Sequence, residues 1–384
     1  MKVLFIFGTR PEAVKMAPLV KALRERPRDF EVRVCVTAQH RQMLDQVLEF
    51  FQIVPDYDLD LMKPNQTLFD ITAAGLSGLQ AVLPDAAPDR VFVQGDTTTA
   101  FVGALSAYYS GVKVCHLEAG LRSGNKLAPY PEEMNRILVG HLADFHFAPT
   151  EQARRNLAAE GLTTNVWVVG NTVIDALLIG LKLIEEAGAE RYASDFPFLD
   201  FSRQIVLITG HRRESFGEPF ENIANALSDA ARRFPRVQFV YPVHLNPLVR
   251  EPVNRILGSQ PNVHLIPPLD YPHLIWLMSK ATVVVTDSGG IQEEAPTLGK
   301  PVLVMRDVTE RTEGIEAGTA KLVGTSRETI LRELSTLLTD SGAYQAMAQA
   351  VNPYGDGTTS QQIMQILLAD AGGPVPTLPV TAPT

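Results

Sequence analysis

The run Thr286-Asp287-Ser288-Gly289-Gly290-Ile291-Gln292-Glu293-Glu294 joins groups that bind anions to groups that read sugars. The apolar stretch Ala281 to Val285 reads as a buried strand, and Ile291 to Leu298 reads as the helix that follows it. Ser288, Gly289 and Gly290 let the backbone approach an anion closely, and the first helical turn offers N–H groups that lack intrahelical partners. Diphosphate oxygens fit such a cradle. Glu293 and Glu294 follow at the distance where a carboxylate accepts hydrogen bonds from ribose hydroxyls, as in dinucleotide folds. A glycine pair after a strand also serves as a plain turn, so the nucleotide-sugar reading depends on what accompanies it.

Further polar groups fall just after apolar runs. Gly8-Thr9-Arg10-Pro11-Glu12-Ala13-Val14-Lys15 follows the first, with Arg10 offering a fork of donors and Lys15 placed in the first turn of a helix. Two cations at a helix N-terminus oppose the macrodipole, which favours contact with phosphate or sugar over a solvated helix start. Asp96, in Gln94-Gly95-Asp96-Thr97, would by itself be read as a helix cap. Glu118 follows the next run, and Glu132 opens a helix in Pro131-Glu132-Glu133-Met134-Asn135-Arg136. Three acids on neighbouring strand ends form the kind of cluster that proton transfer at carbon requires. His211 and Arg212 lie in Thr209-Gly210-His211-Arg212-Arg213-Glu214, His244 in Tyr241-Pro242-Val243-His244, and Arg311 in Asp307-Val308-Thr309-Glu310-Arg311. No Cys and His set has zinc spacing, no Gly-x-Gly-x-x-Gly follows the first strand, and no Walker sequence occurs. Metal, nicotinamide and ATP are left without support.

The elements that must position these groups are short apolar runs separated by helix-length segments. Val3 to Phe7, Val32 to Val36, Arg90 to Val93, Val112 to Leu117, Phe145 to Ala148 and Val166 to Val169 form one series. Ile205 to Thr209, Val237 to Tyr241, Val263 to Ile266, Ala281 to Val285, Val302 to Met305 and Ala320 to Val323 form a second. Continuous hydrophobicity implies strands covered on both faces, hence an α/β fold of two Rossmann-like, doubly wound domains with a ligand cleft at the carboxyl ends of the strands. The expected division is residues 1–171, with a C-terminal helix at 357–371 packing back, then 172–356, then a disordered tail at 372–384. Tyr192 to Ser202 reads as an irregular hinge region.

The 384 residues exceed the size at which one core usually stops growing. A net charge of −9, from 34 basic and 43 acidic residues, argues against nucleic acid or an anionic membrane as the main partner. Cys35 and Cys115, the only cysteines, sit in apolar runs and read as small buried thiols in a reducing cytoplasm. The N-terminal apolar run stops at Gly8, too short for a signal peptide, and no run reaches a membrane span of roughly 18 to 20 residues.

In order and spacing, Phe7-Gly8-Thr9-Arg10-Pro11-Glu12-Ala13-Val14-Lys15-Met16, Gly95-Asp96-Thr97-Thr98-Thr99, Glu118-Ala119-Gly120-Leu121-Arg122, Pro131-Glu132-Glu133-Met134-Asn135-Arg136, Asp287-Ser288-Gly289-Gly290-Ile291-Gln292-Glu293-Glu294 and Asn352-Pro353-Tyr354-Gly355-Asp356-Gly357 resemble the bacterial non-hydrolysing UDP-N-acetylglucosamine 2-epimerases. The resemblance implies a glycosyltransferase-B-like architecture and interconversion of UDP-GlcNAc with UDP-ManNAc, with neither cofactor nor metal. It further implies a cytoplasmic homodimer serving polysaccharide or cell-wall precursor synthesis. By motif match, Asp96, Glu118 and Glu132 are the implied acid/base set, with His211 and Lys15 as further catalytic or orienting groups. Arg10, Ser288, Gly289, Gly290, Glu294 and Arg311 match UDP-binding positions, and Pro268 to Leu274 matches the uracil segment, with Leu269 and Leu274 where some relatives carry Gln and Phe. Gln39, Gln42, Arg212 and His244 match a second, allosteric UDP-GlcNAc site, where Asn65 replaces an Arg of some regulated relatives.

Three other readings share parts of this pattern. A hydrolysing epimerase would release free ManNAc, a retaining glycosyltransferase would need an acceptor, and a nucleotide-sugar sensor would leave the acidic cluster without purpose.

Overall fold

A computed structural model describes residues 1–38, 41–63, 66–212 and 215–372. Gln39, Asn65 and the tail from 373 lie outside the described residues. The chain divides into one unit formed by Met1–Ala176 with the segment from Tyr354 onward, and a second formed by Leu177–Pro353.

In the first unit the order is β1 (Lys2–Phe7), α1 (Arg10–Arg24), β2 (Glu31–Val36), α2 (Arg41–Phe50), β3 (Tyr57–Asp58), α3 (Leu68–Ala86), β4 (Arg90–Gln94) and α4 (Thr98–Tyr109). It continues through β5 (Lys113–Leu117), α5 (Glu132–Leu142), β6 (Phe145–Ala148), α6 (Glu151–Ala159) and β7 (Val166–Val168) to α7 (Thr172–Glu186), which leads into the second unit. The sheet order is β3-β2-β1-β4-β5-β6-β7, all parallel. Burial explains the unbroken apolar strands: five of the six residues of β1, and all of β6, are buried. Rings step across the sheet, Phe5 on Phe92 at 5.0 Å, Phe92 on Phe147 at 6.0 Å and Phe147 on Trp167 at 5.7 Å. Cys115 pairs with Phe92 in register, and its small side chain leaves room for those rings to meet. Burial pushes the Cys115 thiol far up, and that of Cys35 up to about 12, so both are inert packing groups.

Leu4, Ile6, Val91 and Val93 form the core under α3 and α4 with Leu79, Val82 and Val102. The last helix of the chain, α16 (Thr359–Asp370), packs on α1. Asp370 pairs with Arg90, Thr359 Oγ1 donates to Val169 O at 2.9 Å, and Ser360 N donates to Asp175 at 2.7 Å.

The second unit contains α8 (Ala189–Ser194), β8 (Ile205–Thr209), α9 (Glu218–Arg233), β9 (Gln238–Pro242), α10 (Pro247–Leu257), β10 (Val263–Ile266) and α11 (Tyr271–Lys280). Then come β11 (Val283–Thr286), α12 (Gly289–Thr297), β12 (Val302–Val304), α13 (Thr312–Glu316), β13 (Ala320–Leu322), α14 (Arg327–Thr339) and α15 (Ser341–Ala348). Its parallel order β10-β9-β8-β11-β12-β13 repeats the 3-2-1-4-5-6 order of dinucleotide-binding sheets. Both units are thus Rossmann-like, and the pair fits a glycosyltransferase-B-like fold. Tyr192, expected in irregular chain, lies in the six-residue α8, buried beside Trp276. Among the described residues no helix is long and apolar enough to cross a membrane.

Gly120 has a φ of +91°, and a Cβ there would lie 2.2 Å from the Ala153 carbonyl oxygen. Gly120→Ala is expected to destabilise the first unit by about 2 to 4 kcal/mol, since it adds left-handed strain to a clash with backbone. Chemical unfolding followed at Trp167, in β7 of that unit, measures the effect; an unchanged midpoint would refute it.

Candidate active site

In each sheet the strand order reverses between the first and fourth strands, and the loops leaving the carboxyl ends of those two strands flank that sheet's own switch point. In the first unit these loops are residues 8–9, between β1 and α1, and residues 95–97, between β4 and α4. Glu12 ties them together. Its buried carboxylate accepts from Gly8 N at 3.1 Å, Thr9 N at 2.8 Å and Thr97 Oγ1 at 2.6 Å. Burial raises the Glu12 carboxyl above its ordinary range against the pull of those hydrogen bonds. The chain entering α1 is therefore braced by a carboxylate from the helix's own first turn. Arg10 is the first residue of α1 and half-buried.

Lys15 lies in the second turn of α1, not the first, because the helix already begins at Arg10. Its Nζ pairs with Glu118 Oε2, and both groups are buried. Gln94 Nε2 at 3.1 Å and Asn171 Nδ2 at 3.0 Å donate to the same oxygen. Glu118 follows β5 with a φ of +60°, a conformation costly for a residue with a side chain and often found where function demands it. The cation that appeared to oppose the α1 dipole is thus explained by a carboxylate 103 residues away.

Asp96 pairs with Arg136 of α5, and Asn135 Nδ2 donates to the Asp96 carbonyl at 2.9 Å. A Cβ on Gly95 would lie 3.9 Å from Glu118 Oε1, so the Asp96 loop and Glu118 adjoin. Buried His116 faces the Gly95 carbonyl with Nε2 at 2.8 Å. Nε2 must carry the proton there, and burial holds the ring neutral, down to about 3. The two acids that open α5 differ: Glu133 is buried and accepts from Ser123 N and Gly124 N at 3.0 Å, whereas half-buried Glu132 makes no hydrogen bond or ion pair among the described residues. The structure brings Lys15, Asp96 and Glu118 into one connected cluster and adds Glu12, Gln94, His116, Arg136 and Asn171, to which sequence reading assigned no role. Arg136 and Glu12 stood inside the motifs already singled out; nothing in the sequence marks Gln94 or Asn171 as partners of Glu118.

In the second unit, Asp287 closes the crevice between β8 and β11. Its Oδ2 accepts from His211 N at 2.6 Å and Arg212 N at 2.8 Å. The His211 ring lies 3.5 Å from Asp287 Oδ1 and stacks on His244 with centroids 5.3 Å apart, which brings Arg212 and His244 to one place. Gln42 is exposed on α2 of the first unit.

Ser288 is the N-cap of α12 and makes no side-chain cap bond, and Gly289 and Gly290 are the first two helical residues. Helix α12 starts two residues earlier than the apolar pattern indicates, so the glycine N–H groups themselves are the donors of its first turn. A Cβ on Gly289 would lie 3.2 Å from Arg311 Cζ, so the guanidinium stands against the helix start. Buried Arg311 donates to Glu293 at 2.9 Å and Glu310 at 2.7 Å. Burial raises the Glu310 carboxyl, but Arg311, Arg306 and Arg212 outweigh it and bring it to about 2. Glu293 is thereby engaged with Arg311, while Glu294 accepts from Tyr271 OH at 3.1 Å. In the 268–274 segment Asp270 caps α11 through His273 N at 3.0 Å.

Residues 21–368 match the family model described as UDP-N-acetylglucosamine 2-epimerase. The chain is 55% identical over 370 residues to the UDP-N-acetylglucosamine 2-epimerase of Escherichia coli K12, covering 96% of this chain and 98% of that one. It is 50% identical over 379 residues to the Campylobacter jejuni enzyme of that name, covering 96% and 97%. The crystal structure of UDP-GlcNAc 2-epimerase from Neisseria meningitidis bound to UDP-GlcNAc superposes with a TM-score of 0.90 at 48% identity, covering 96% of this chain and all of that one. The Methanocaldococcus jannaschii enzyme in complex with UDP-GlcNAc and UDP superposes with a TM-score of 0.81 at 32% identity over 96% of this chain and 100% of that one. With two Rossmann-like units and motif residues gathered at their strand ends, this chain belongs to the UDP-N-acetylglucosamine 2-epimerase family.

Proposed function

We propose that the protein interconverts UDP-N-acetylglucosamine and UDP-N-acetylmannosamine by elimination and re-addition of UDP, supplying precursors for polysaccharide or cell wall. As the C1–O bond breaks, its electron pair leaves with the diphosphate and C1 becomes cationic, which acidifies the adjacent C2–H. A carboxylate takes that proton, and the C2–H electron pair becomes the double bond of 2-acetamidoglucal. Protonation of C2 on the opposite face and return of the diphosphate oxygen to C1 complete the inversion. Every atom and electron is recovered, so the chemistry calls for no redox cofactor.

The observation that carries this reading is buried Glu118 held beside Lys15. A carboxylate that handles a carbon-bound proton works best in dry surroundings, and there an adjacent ammonium balances its charge. Asp96 and Glu132 complete the acid/base set, and Lys15 and His211 orient the sugar. The first turn of α12, with Ser288, Gly289 and Gly290, receives the diphosphate, aided by Arg311 and Arg10. Glu294 takes ribose hydroxyls.

Proton NMR with UDP-GlcNAc in D2O is the test. UDP-ManNAc carrying deuterium at C2 is the expected product, whereas free ManNAc with UDP would establish hydrolysis, and an unaltered but bound sugar would move the weight to a transferase or a sensor. Asp96→Asn, Glu118→Gln and Glu132→Gln are each expected to lower turnover about 10²- to 10⁴-fold with UDP affinity retained.

The same reading includes activation by UDP-GlcNAc at a second site drawing on Gln39, Gln42, Arg212 and His244, supported by the His211–His244 stack, which sets His244 against the residue preceding Arg212. Sigmoidal rates in UDP-GlcNAc, and a reverse reaction that needs added UDP-GlcNAc, are expected; hyperbolic rates with no such need would sink it. It also includes a cytoplasmic homodimer. Helices α3 and α4 pack on each other and expose Phe69, Tyr108 and Tyr109, apolar surface of the kind that an interface covers. Light scattering should give twice the chain mass, and a monomer mass would count against it.

A further inference from the structure

Asn171 uses every polar group it has. It is buried, its Oδ1 accepts from Val173 N at 3.2 Å at the start of α7, and its backbone N donates to Tyr354 O at 2.7 Å. Its Nδ2 donates to Glu118 Oε2 at 3.0 Å, the oxygen that also receives Lys15 and Gln94. The chain leaves the first unit along α7, after Ala176, and re-enters it at Tyr354. Both passages are therefore fastened within a few residues of one side chain, and that side chain touches the carboxylate on which the proposed chemistry turns. At Gly170, just before it, a Cβ would lie 2.8 Å from Thr359 Oγ1 and 3.1 Å from Tyr354 O, so the two backbones approach closely here.

We propose that Asn171 is a positioning residue for Glu118, tying the orientation and charge of that carboxylate to the backbone joint where the chain passes between its two units. This rests on Glu118 acting in proton transfer, as set out above. The chemistry selects asparagine: the position requires an acceptor for Val173 N and a donor for Glu118 on one short side chain. Asp lacks the donor, and Ser has a single hydroxyl that cannot replace the amide at both ends. A plain helix cap, which Asn also makes well, would require only the first bond.

Asn171→Ser separates the two roles, because serine caps a helix as well as asparagine does but withdraws the amide from Glu118. The expected result is a thermal midpoint close to wild type with kcat reduced about 10- to 100-fold and KM little changed, the scale of one hydrogen bond to a charged group. The acid limb of the kcat–pH profile should move to higher pH, since a donor to the ionised carboxylate has been removed while Lys15 and Gln94 remain. Asn171→Asp keeps the shape and the cap but sets a second carboxylate against Glu118, and should lose more activity with a larger shift of the same limb. It carries the test if the serine variant does not fold. Wild-type kcat and an unmoved pH profile in either folded variant would reduce Asn171 to a helix cap. Absence of epimerisation by the wild-type protein would instead remove the functional reading itself, so the two failures are distinguishable.

Discussion

The buried ion pair between Lys15 and Glu118 is the constraint around which the first unit is arranged. Removing two charges from water costs several kcal/mol for each ion, and their attraction offsets that only when the geometry is good and the remaining hydrogen-bonding capacity is used. Here one carboxylate oxygen gathers an ammonium and two amides drawn from α1, β4 and the residue before α7. Lys15, Gln94 and Glu118 meet because β1, β4 and β5 lie side by side in the sheet, which brings residues 15, 94 and 118 to the same edge. A one-residue slip of β4 would turn Gln94 to the opposite face and leave a charge short of a donor. The aromatic ladder from Phe5 to Trp167 resists that slip, since each ring is packed against a ring on another strand of the same sheet.

The two units share a topology and use it differently. At the start of α1 Glu12 reaches back to the N–H groups of Gly8 and Thr9 and to the Thr97 hydroxyl, so a carboxylate of the protein itself braces two loops. At the start of α12 Ser288 makes no cap bond, glycines occupy the first two helical positions, and Arg311 stands against them. Glycine N–H groups and a guanidinium thus meet at the start of α12, whereas a carboxylate stands at the start of α1. With a net charge of −9, any anion-binding potential of the chain is local and does not come from its overall charge.

Most strands were legible because both faces are covered and the apolar runs are unbroken, as in β1, β6 and β8. The exceptions have local causes. β3 is two residues at a sheet edge and leaves no run. β11 begins two residues into its apolar stretch because Ala281 is the C-cap of α11. In the site, residue types at strand ends pointed to Asp96, Glu118 and Arg311, but their partners did not announce themselves. Arg136 is 40 residues from Asp96 and Lys15 is 103 from Glu118, separations over which only the fold brings side chains together. Glu132 and Glu133 look alike in sequence, yet adjacent helical residues point about 100° apart, so one is buried against backbone N–H groups and the other is not.

The return of α16 to the first unit also sets an order of events during synthesis. Residues 1–176 leave the ribosome without the helix that packs on α1 and carries the Asp370 partner of Arg90. The second unit, continuous from Leu177 to Pro353, can close its core first. At about 5 to 20 residues per second, the N-terminal part waits roughly 10 to 40 seconds for its last element. Throughout that interval the α1 surface that α16 will cover stays open to solvent, so the nascent chain is most vulnerable to chaperones and proteases at its oldest end and not its newest.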